Sequence, residues 1–440
     1  MRIPRIATWK TAMTAGLTAA VGLGLSTGAA FARPAAAKSK INLTFLTFDV
    51  GKSIPEVGMV KAFNKLHPNI HVHLQMSSSA YYYSKLLTEL ATGTGPDVFF
   101  VGDTELRMFV HAGVVQNLTP LFRHHTYGLN ATKYFPKVLN VGKFNGKIYF
   151  IPKDWNVEAV IYNVKLFQEA HLPLPKAGWT WAQFIRDAKA LTVVKNGHVV
   201  QWGSILPGNW LRAGFELFEP TFGASPLSPN GQTASGYLNS PQSIRAITYY
   251  LDMYRVDHIS MTPSQETGFG SADPFEMGKV GMEIGGSWPL ATYYKDPHLK
   301  FGVAPDPLLT PKSKVVSTVF WAGAAVNKRS PHLKAAEELA AFLSSSTWQW
   351  GDSKWAMDAE KGPWIAATEK RLPLQRVFFQ QASAITPLEP KLTFNWLKDV
   401  SPALSNMIQE GILKPKSSIP ALVKTATQQI DQALAKTYGK

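Results

Sequence analysis

Hydrophobic and polar positions between residues 85 and 122 change period twice, and these changes predict a helix, a buried strand and a second helix. Leucines at helical spacing in 86–90 are followed by the glycines and proline of 93–96, which end a helix and prevent its return. The apolar run 98–101 then predicts a short buried strand. The polar turn 102–104 opens the second helix. This order of elements predicts one unit of an α/β sheet.

The same alternation of elements recurs along the chain. Strands are predicted at 41–48, 70–74, 147–151, 159–162, 280–284 and 319–326. Thr180 and Gln183 form a capping-box pattern that predicts the start of a helix. Strands separated by helices through residue 122 predict a parallel sheet flanked by helices. The stretch 220–241 is rich in Pro, Gly, Ser and Asn, and it predicts an exposed loop insertion.

Two acidic residues follow predicted strands directly. Asp49 comes after the strand 41–48, and Asp103 comes after the strand 98–101. Open α/β sheets bind ligands in the crevice at the carboxyl ends of their strands, so both residues are candidate ligand contacts. Helix capping or turn formation is an equally good explanation for each of them.

The composition is that of a globular protein with a net positive charge. The 440 residues are enough for two domains, and 45 % of them are hydrophobic. The formal net charge is +15, but Lys and Arg are scattered along the chain, with no long basic run and no alternation of basic and aromatic residues. A nucleic-acid site would concentrate them, so we predict no nucleic-acid partner.

The amino-terminal residues have the pattern of an export signal. Arg2, Arg5 and Lys10 precede an apolar stretch over 12–25, and small residues before Arg33 predict cleavage after position 32, with a second possible site after 37. No other segment of the sequence is apolar enough to span a membrane. The chain has no cysteine, which excludes disulfides, cysteine metal sites and a lipid-modified cysteine.

Four stretches carry a resemblance to a known family. They are GTGPDVFFV followed by HAGVVQNLTPL within 93–121, and the segments 146–184, 275–293 and 319–345. In this order the sequence resembles the sugar-binding extracellular solute-binding proteins of ATP-driven importers, a family that includes the maltose-binding protein. The resemblance runs along nearly all of the chain after the signal.

The resemblance implies an α/β protein with a two-lobed periplasmic-binding-protein fold of type II, whose ligand cleft lies between lobes joined by hinge crossings. It implies a soluble, periplasmic or otherwise secreted monomer. Such a protein binds a mono- or oligosaccharide without a cofactor or metal, performs no covalent chemistry, and delivers the sugar to the transmembrane subunits of an ABC importer.

The resemblance also places the lobes along the chain. Residues 1–32 are the signal, the first lobe is built from 38–151 plus 318–345, and the second lobe is built from 156–316 plus 350–440. Crossings between the lobes are expected near 151–156, 316–320 and 345–354.

A sugar cleft needs planar hydrogen-bonding groups together with aromatic platforms. The predicted ligand-binding residues lie in loops or at crossings: Asp49, Tyr81, Tyr82, Asp103, Asp154, Trp155, Asn156, Trp288 and Trp321. Trp288 is the strongest candidate, because Gly285 and Gly286 before it let the backbone approach closely and Ser287 suits a helix start. Core packing is an equal alternative for Trp321. Trp348, Trp350, Trp355 and Trp364 have no pattern that orients them.

Other chemistries find less support in the sequence. An exported glycoside hydrolase needs two carboxyl groups about 5 to 9.5 Å apart, and Glu158, Glu283 and Asp103 are nominees that nothing marks as a pair. Paired tyrosines at 249–250 and 293–294 are similar to those of ferric-ion-binding relatives but also fit amphipathic helices. The histidines at 71, 73, 124 and 125 have no partner at metal-ligand spacing.

Overall fold

The computed structural model describes the backbone of residues 40–51, 54–77, 79–207, 211, 214–270, 272–345, 348, 357–362, 364–382 and 395–439. Side chains are described at all of these positions except 79–81, 103, 104, 364 and 367–369. The predicted signal, Trp350 and Trp355 lie outside the described residues, as do the side chains of Tyr81, Asp103 and Trp364.

Thirteen strands are present in the described part of the chain. They are β1 Ile41–Thr47, β2 Ile70–Met76, β3 Val98–Gly102, β4 Lys143–Phe144, β5 Lys147–Ile148, β6 Ile151–Val157, β7 Ala159–Asn163, β8 Val193–Lys195, β9 His198–Ile205, β10 Val280–Gly285, β11 Phe301–Ala304, β12 Val319–Val326 and β13 Met357–Asp358. The strands predicted at 98–101, 159–162, 280–284 and 319–326 are confirmed.

The strands form two main sheets. The first sheet has the order β13-β6-β12-β3-β1-β2, and the second has the order β11-β7-β10-β9-β8, while β4 and β5 form a small separate hairpin. In the first sheet β1, β2 and β3 are parallel, whereas β12 runs antiparallel to its two neighbours, β3 and β6, so β6 has the same direction as β3. We call the part built on the first sheet the first lobe and the part built on the second sheet the second lobe.

Helices cover both sheets. They are α1 Pro55–Leu66, α2 Ser79–Thr92, α3 Asp103–His111, α4 Thr119–Arg123, α5 Pro136–Val141, α6 Val164–Glu169, α7 Trp181–Leu191, α8 Phe218–Thr221, α9 Pro241–Arg255, α10 Pro263–Thr267, α11 Leu290–Tyr293, α12 Leu333–Leu343, α13 Trp364–Arg371, α14 Gln375–Ala382, α15 Trp396–Asp399, α16 Ser401–Leu413 and α17 Ile419–Tyr438. The capping box at Thr180 and Gln183 begins α7 as predicted. No helix within the described ranges has the length and apolar character that crossing a membrane requires.

Strand β3 shows why the first sheet needs helices on both faces. Its side chains alternate in direction, so Phe99 and Val101 pack in the cluster that holds α2 and α3. Val98 and Phe100 pack in the other cluster, with the side chains of α1 and α12. Because both faces are buried, the strand reads as a continuous apolar run, which is why the sequence predicts it well.

The chain passes between the two sheets at Glu158, which separates β6 from β7. It returns between β11 and β12, and helix α14 packs against β6, β7 and β11 at the same place. Two segments lie elsewhere than the predicted boundaries imply. Strand β6 stays in the first sheet through Val157, and β13 belongs to the first sheet although the second lobe was expected to begin again at 350.

The stretch 220–241 is not the exposed insertion that its composition predicts. Leu227, Ala234 and Leu238 are buried in the second-lobe core. The carboxylate of Asp431 in α17 accepts hydrogen bonds from the hydroxyl of Thr233 at 2.9 Å and from the backbone amide of Ala234 at 2.6 Å. These bonds tie the stretch to the last helix, so it is a structured part of the second lobe.

A buried carboxyl in α8 gives the second lobe a pH-dependent stability. Burial raises the pKa of Glu219 to about 8, although a hydrogen bond from Ser243 opposes the shift. Unfolded glutamate ionises near pH 4.3. Between these two values the folded protein binds one more proton than the unfolded chain, so this group lowers stability as pH rises from about 4.5 to 8.

We therefore expect Glu219→Gln to stabilise the protein relative to wild type at pH 8 by at least about 1 kcal/mol, with a smaller difference at pH 5. Urea unfolding at both pH values measures the change. Glu169→Gln, at an exposed position in α6, should show no such pH dependence. An equal difference between wild type and Glu219→Gln at both pH values would show that Glu219 titrates normally in the folded protein.

Candidate functional site

Polar residues from separate strands meet at the carboxyl edge of the first sheet. Gly102, the last residue of β3, lies opposite Ala322 of β12, and Ala322 lies opposite Asp154 of β6. Asp49 follows the end of β1 by two residues, and its charge acts on the carboxyl group of Asp154. Two of the predicted ligand contacts therefore lie near each other at the edge where α/β sheets bind ligands.

A bulge in β6 brings a cation to this edge. The register of β6 against β12 shifts between Ala322 and Gly323, so Lys153 is an extra residue in the ladder. Its ammonium nitrogen lies 2.9 Å from Oδ2 of Asp154 and 3.6 Å from Oε1 of Glu56. Neighbours on a regular strand point to opposite faces, so the bulge is what lets Lys153 and Asp154 pair.

Lys153 and Glu56 are buried members of this site that the sequence analysis missed. The Lys153 side chain is 4 % exposed and its ammonium lies 4.6 Å from the centre of the Phe100 ring. Glu56 is fully buried in the first turn of α1. One sequence signal points to them. Lys153 and Asp154 are adjacent charges within the otherwise apolar stretch FIPKDW of 150–155, and buried charges require partners.

Asp154 remains partly accessible at this edge, with 17 % of its side chain exposed, and Asp49 is half-buried. Burial raises its pKa, Lys153 opposes the rise by charge and hydrogen bonding, and Asp49 adds to it. The backbone amide of Ala322 also donates to the carboxylate. A carboxylate held in this way can accept hydrogen bonds from ligand hydroxyls, and its protonated form can donate one.

The predicted tyrosines do not behave alike. Tyr82 is fully buried, and its hydroxyl lies 2.6 Å from the carbonyl of Phe100 and 3.1 Å from that of Leu46. It bonds both β1 and β3 within the core, and its role as a ligand contact stays a prediction. Tyr83, which was not selected, is half-buried and accepts a hydrogen bond from the amide of Gly102 at 3.2 Å.

Trp155 also serves the core. It is 5 % exposed, its ring packs edge-on against Phe135 and Phe379, and its indole nitrogen donates to the carbonyl of Asp358 at 3.1 Å. Little of its surface is open to a ligand here, and its role as a ligand contact stays a prediction. Trp321 lies directly opposite Trp155 in the ladder and is half-buried. Its indole nitrogen is buried and has no hydrogen-bond acceptor among the described residues.

On the second lobe, Trp288 follows the glycine-rich end of β10. A Cβ atom on Gly286 would lie 2.0 Å from the indole ring, so the ring rests directly on this residue's backbone. A Cβ atom on Gly285 would lie 3.5 Å from the same ring. At Gly286 the absence of a side chain is therefore what lets the indole lie against the backbone, whereas a side chain at Gly285 would make only an ordinary contact. The ring is half-buried and meets Phe320 of β12 edge-on at 5.5 Å between ring centres.

Asn156 is engaged within the protein. It is 3 % exposed, its amide nitrogen donates to the Ser287 hydroxyl at 3.1 Å, and its oxygen accepts from the Ser287 amide at 3.0 Å. Its side-chain amide is bonded within the protein, and its role as a ligand contact stays a prediction. The expected helix-capping role of Ser287 is wrong, because α11 begins at Leu290 with Pro289 as its N-cap.

Three of the residues nominated for other chemistries, Tyr250, Tyr293 and Glu283, are hydrogen-bonded in the second lobe. Tyr250 bonds the hydroxyl of Tyr254 at 3.1 Å within the second-lobe core. The Tyr293 hydroxyl lies 2.7 Å from Asp273 and 2.9 Å from Glu283. Within the described ranges, no group of three or more His, Asp or Glu residues is arranged to hold a metal ion.

Comparison with known proteins adds a family to this geometry. A family model described as bacterial extracellular solute-binding protein matches residues 51–350. The multiple sugar-binding protein of Streptococcus mutans is 24 % identical over 302 residues, which cover 66 % of this chain and 67 % of that protein.

Solved structures agree on the fold. An ABC substrate-binding protein from Listeria monocytogenes in complex with cycloalternan superimposes with a TM-score of 0.80 and 23 % identity, over 91 % of this chain and all of that one. Maltose-bound MalE3 of T. maritima superimposes with a TM-score of 0.71 and 18 % identity, over 90 % of this chain and all of that one. These neighbours have the two-lobed periplasmic-binding-protein fold of type II, and the two sheets and their crossings follow it.

Proposed function

Because the chain belongs to the family of bacterial extracellular solute-binding proteins, we propose that it is an extracytoplasmic receptor that binds a carbohydrate between its lobes. One arrangement supports this proposal above all. The partly accessible carboxylate of Asp154 belongs to the first lobe, and the half-buried indole of Trp288 belongs to the second. A sugar needs both a hydrogen-bonding partner for its hydroxyls and an aromatic surface for its ring face.

The proposed contact residues are Asp49, Asp154 and Trp288, with Trp321, Tyr81 and Asp103 kept as predictions. Asp49 and Asp154 supply acceptors for hydroxyl groups, and Trp288 supplies the platform. Tyr82, Trp155 and Asn156 are left out of the proposed contact set, since their polar atoms bond within the protein and little of their surface is exposed.

The charges at this edge favour an uncharged sugar. Asp49, Glu56 and Asp154 contribute three carboxyl groups, and Lys153 contributes one ammonium group that both Glu56 and Asp154 already hold. A phosphate or carboxylate on the ligand would meet these acidic groups without an available cation among them. Burying an anion there is costly, so a neutral mono- or oligosaccharide is the proposed ligand class.

The remaining parts of the proposal follow from the family and the export signal. The receptor acts outside the cytoplasm as a monomer, and it delivers its sugar to the transmembrane subunits of an ABC importer. It performs no covalent chemistry, so labelled oligosaccharides incubated with it should be recovered intact. If hydrolysed products are recovered instead, the protein is a glycoside hydrolase and this proposal is wrong.

We expect ligand to close the two lobes, because a sugar that touches both of them stabilises the closed form. Thermal shifts against maltose, maltotriose, mannobiose and chitobiose, with glucose 6-phosphate and glucuronate as anionic comparisons, identify the ligand. A sugar at 100 times its dissociation constant stabilises the protein by about 2.7 kcal/mol. Small-angle scattering should then show a smaller radius of gyration at saturation.

An unchanged radius of gyration with a saturating sugar would contradict binding between closing lobes. A shift with glucose 6-phosphate or glucuronate that exceeds the shift with the neutral sugars would contradict the proposed ligand class. Failure of every sugar in the panel to shift the transition would contradict the carbohydrate receptor itself.

A further inference from the structure

Three buried side chains link the lobes beside Trp288. Asn156 lies in β6 of the first lobe, Ser287 lies directly after β10 of the second, and Gln375 begins α14 at the crossing. The hydroxyl of Ser287 accepts from the Asn156 amide at 3.1 Å and from the Gln375 amide at 3.3 Å. The backbone amide of Ser287 donates back to Asn156 at 3.0 Å. We call these three residues the interlobe clasp.

The first lobe also touches the indole that follows the clasp. Phe320 of β12 lies directly opposite Asn156 in the antiparallel ladder. Its ring meets the ring of Trp288 edge-on at 5.5 Å, and the indole also rests on the backbone of Gly286. Trp288 is therefore a second-lobe residue whose immediate surroundings include two neighbouring strands of the first lobe.

We propose that Asn156 is a positioning residue for Trp288, acting through Ser287. The two bonds between Asn156 and Ser287 fix both the backbone and the hydroxyl of the residue before the indole, which sets the direction in which the indole leaves the chain. Rotation of one lobe against the other moves β6 and β12, so the orientation of the platform depends on the relative position of the lobes. A movement at the hinge therefore changes the orientation of the ligand platform.

This inference rests on the proposed function only in taking Trp288 for a ligand platform, and its test needs no ligand. The protein is labelled with 5-fluorotryptophan, which replaces every tryptophan. Trp288→Phe and Trp181→Phe assign two of the fluorine resonances. We expect Asn156→Ala to shift and broaden the Trp288 resonance while leaving that of Trp181, in the second-lobe core, unchanged.

Two further variants separate positioning from general loosening. Asn163→Ala removes another buried asparagine, which caps α6 by accepting from the amide of Leu166 at 3.2 Å, and the Trp288 resonance should not move. Ser287→Ala keeps the backbone bond to Asn156, so we expect a smaller shift than in Asn156→Ala. It also serves as the test if Asn156→Ala does not fold.

A Trp288 resonance at its wild-type position in both Asn156→Ala and Ser287→Ala overturns the positioning role. Equal shifts of the Trp288 and Trp181 resonances also overturn it, since they indicate a global change. A selective shift of Trp288 supports the role even if no sugar of the panel binds, and that combination removes only the proposed ligand.

Discussion

Replacing Trp288 by alanine is expected to weaken sugar binding by about 2 kcal/mol or more, which is a loss of at least about 30-fold in affinity. An indole that a sugar face removes from water behaves as a binding hot spot. Stability should change less, because the ring is half-buried, whereas loss of a core tryptophan costs about 3 to 5 kcal/mol. Titration calorimetry with the sugar found in the screen and a urea unfolding curve measure the two effects.

Trp181→Ala is the matched control for this prediction. Trp181 is 1 % exposed and packs against Phe184 and Phe218, so its loss should give the large stability change without a specific loss of affinity in the folded fraction. If Trp288→Ala instead destabilises the protein by the core amount and binds the sugar normally, Trp288 is a packing residue.

Replacing Lys153 by methionine is expected to lower the free energy of unfolding by about 3 to 5 kcal/mol, because it leaves the buried Glu56 carboxyl without its cation. The double variant Glu56→Gln/Lys153→Met should recover much of the loss. Removing Lys153 also removes the charge that opposes the raised pKa of Asp154, so the loss should be larger at pH 8 than at pH 5. Urea unfolding at the two pH values checks each statement.

Lys165→Met supplies the comparison at the surface. Lys165 pairs with Glu169 at 3.8 Å, and both side chains are more than half exposed, so its loss should cost no more than about 0.5 kcal/mol. Equal costs for Lys153→Met and Lys165→Met would mean that the buried pair contributes no more than a solvated one. A double variant that is as unstable as Lys153→Met would contradict the role given to Glu56.

The sequence predicts the strands well where most residues of the strand are buried. Strand β12 has the predicted bounds, and β7 and β10 extend theirs by one residue. Their apolar runs leave little choice of structure. The stretch 220–241 was misread for the opposite reason. Its turn-forming composition describes local conformation, whereas its burial depends on Asp431, a residue almost two hundred positions away along the chain.

The site was harder to predict, because the direction in which a side chain points from its helix or strand depends on how that element packs against others. In the tyrosine triplet, the phase of α2 turns Tyr82 into the core, and three identical residues give no signal of that phase. Lys153 reaches Asp154 only because β6 is bulged against β12, and bulges arise from the pairing of strands. Asn156 and Ser287 were both expected to act locally or on ligand, yet each is the partner of the other across the lobes.

The place of β12 in the first sheet has a consequence for how the protein folds. This strand, residues 319–326, lies between β6 and β3, so the earlier strands of the sheet have no continuous ladder until it has been synthesised. Contacts between residues so distant in sequence are slow to form, because the entropy of closing a long loop is lost before they are made. We expect the first lobe to complete its sheet late, and the nascent chain to stay unfolded long enough for an export machinery to engage it.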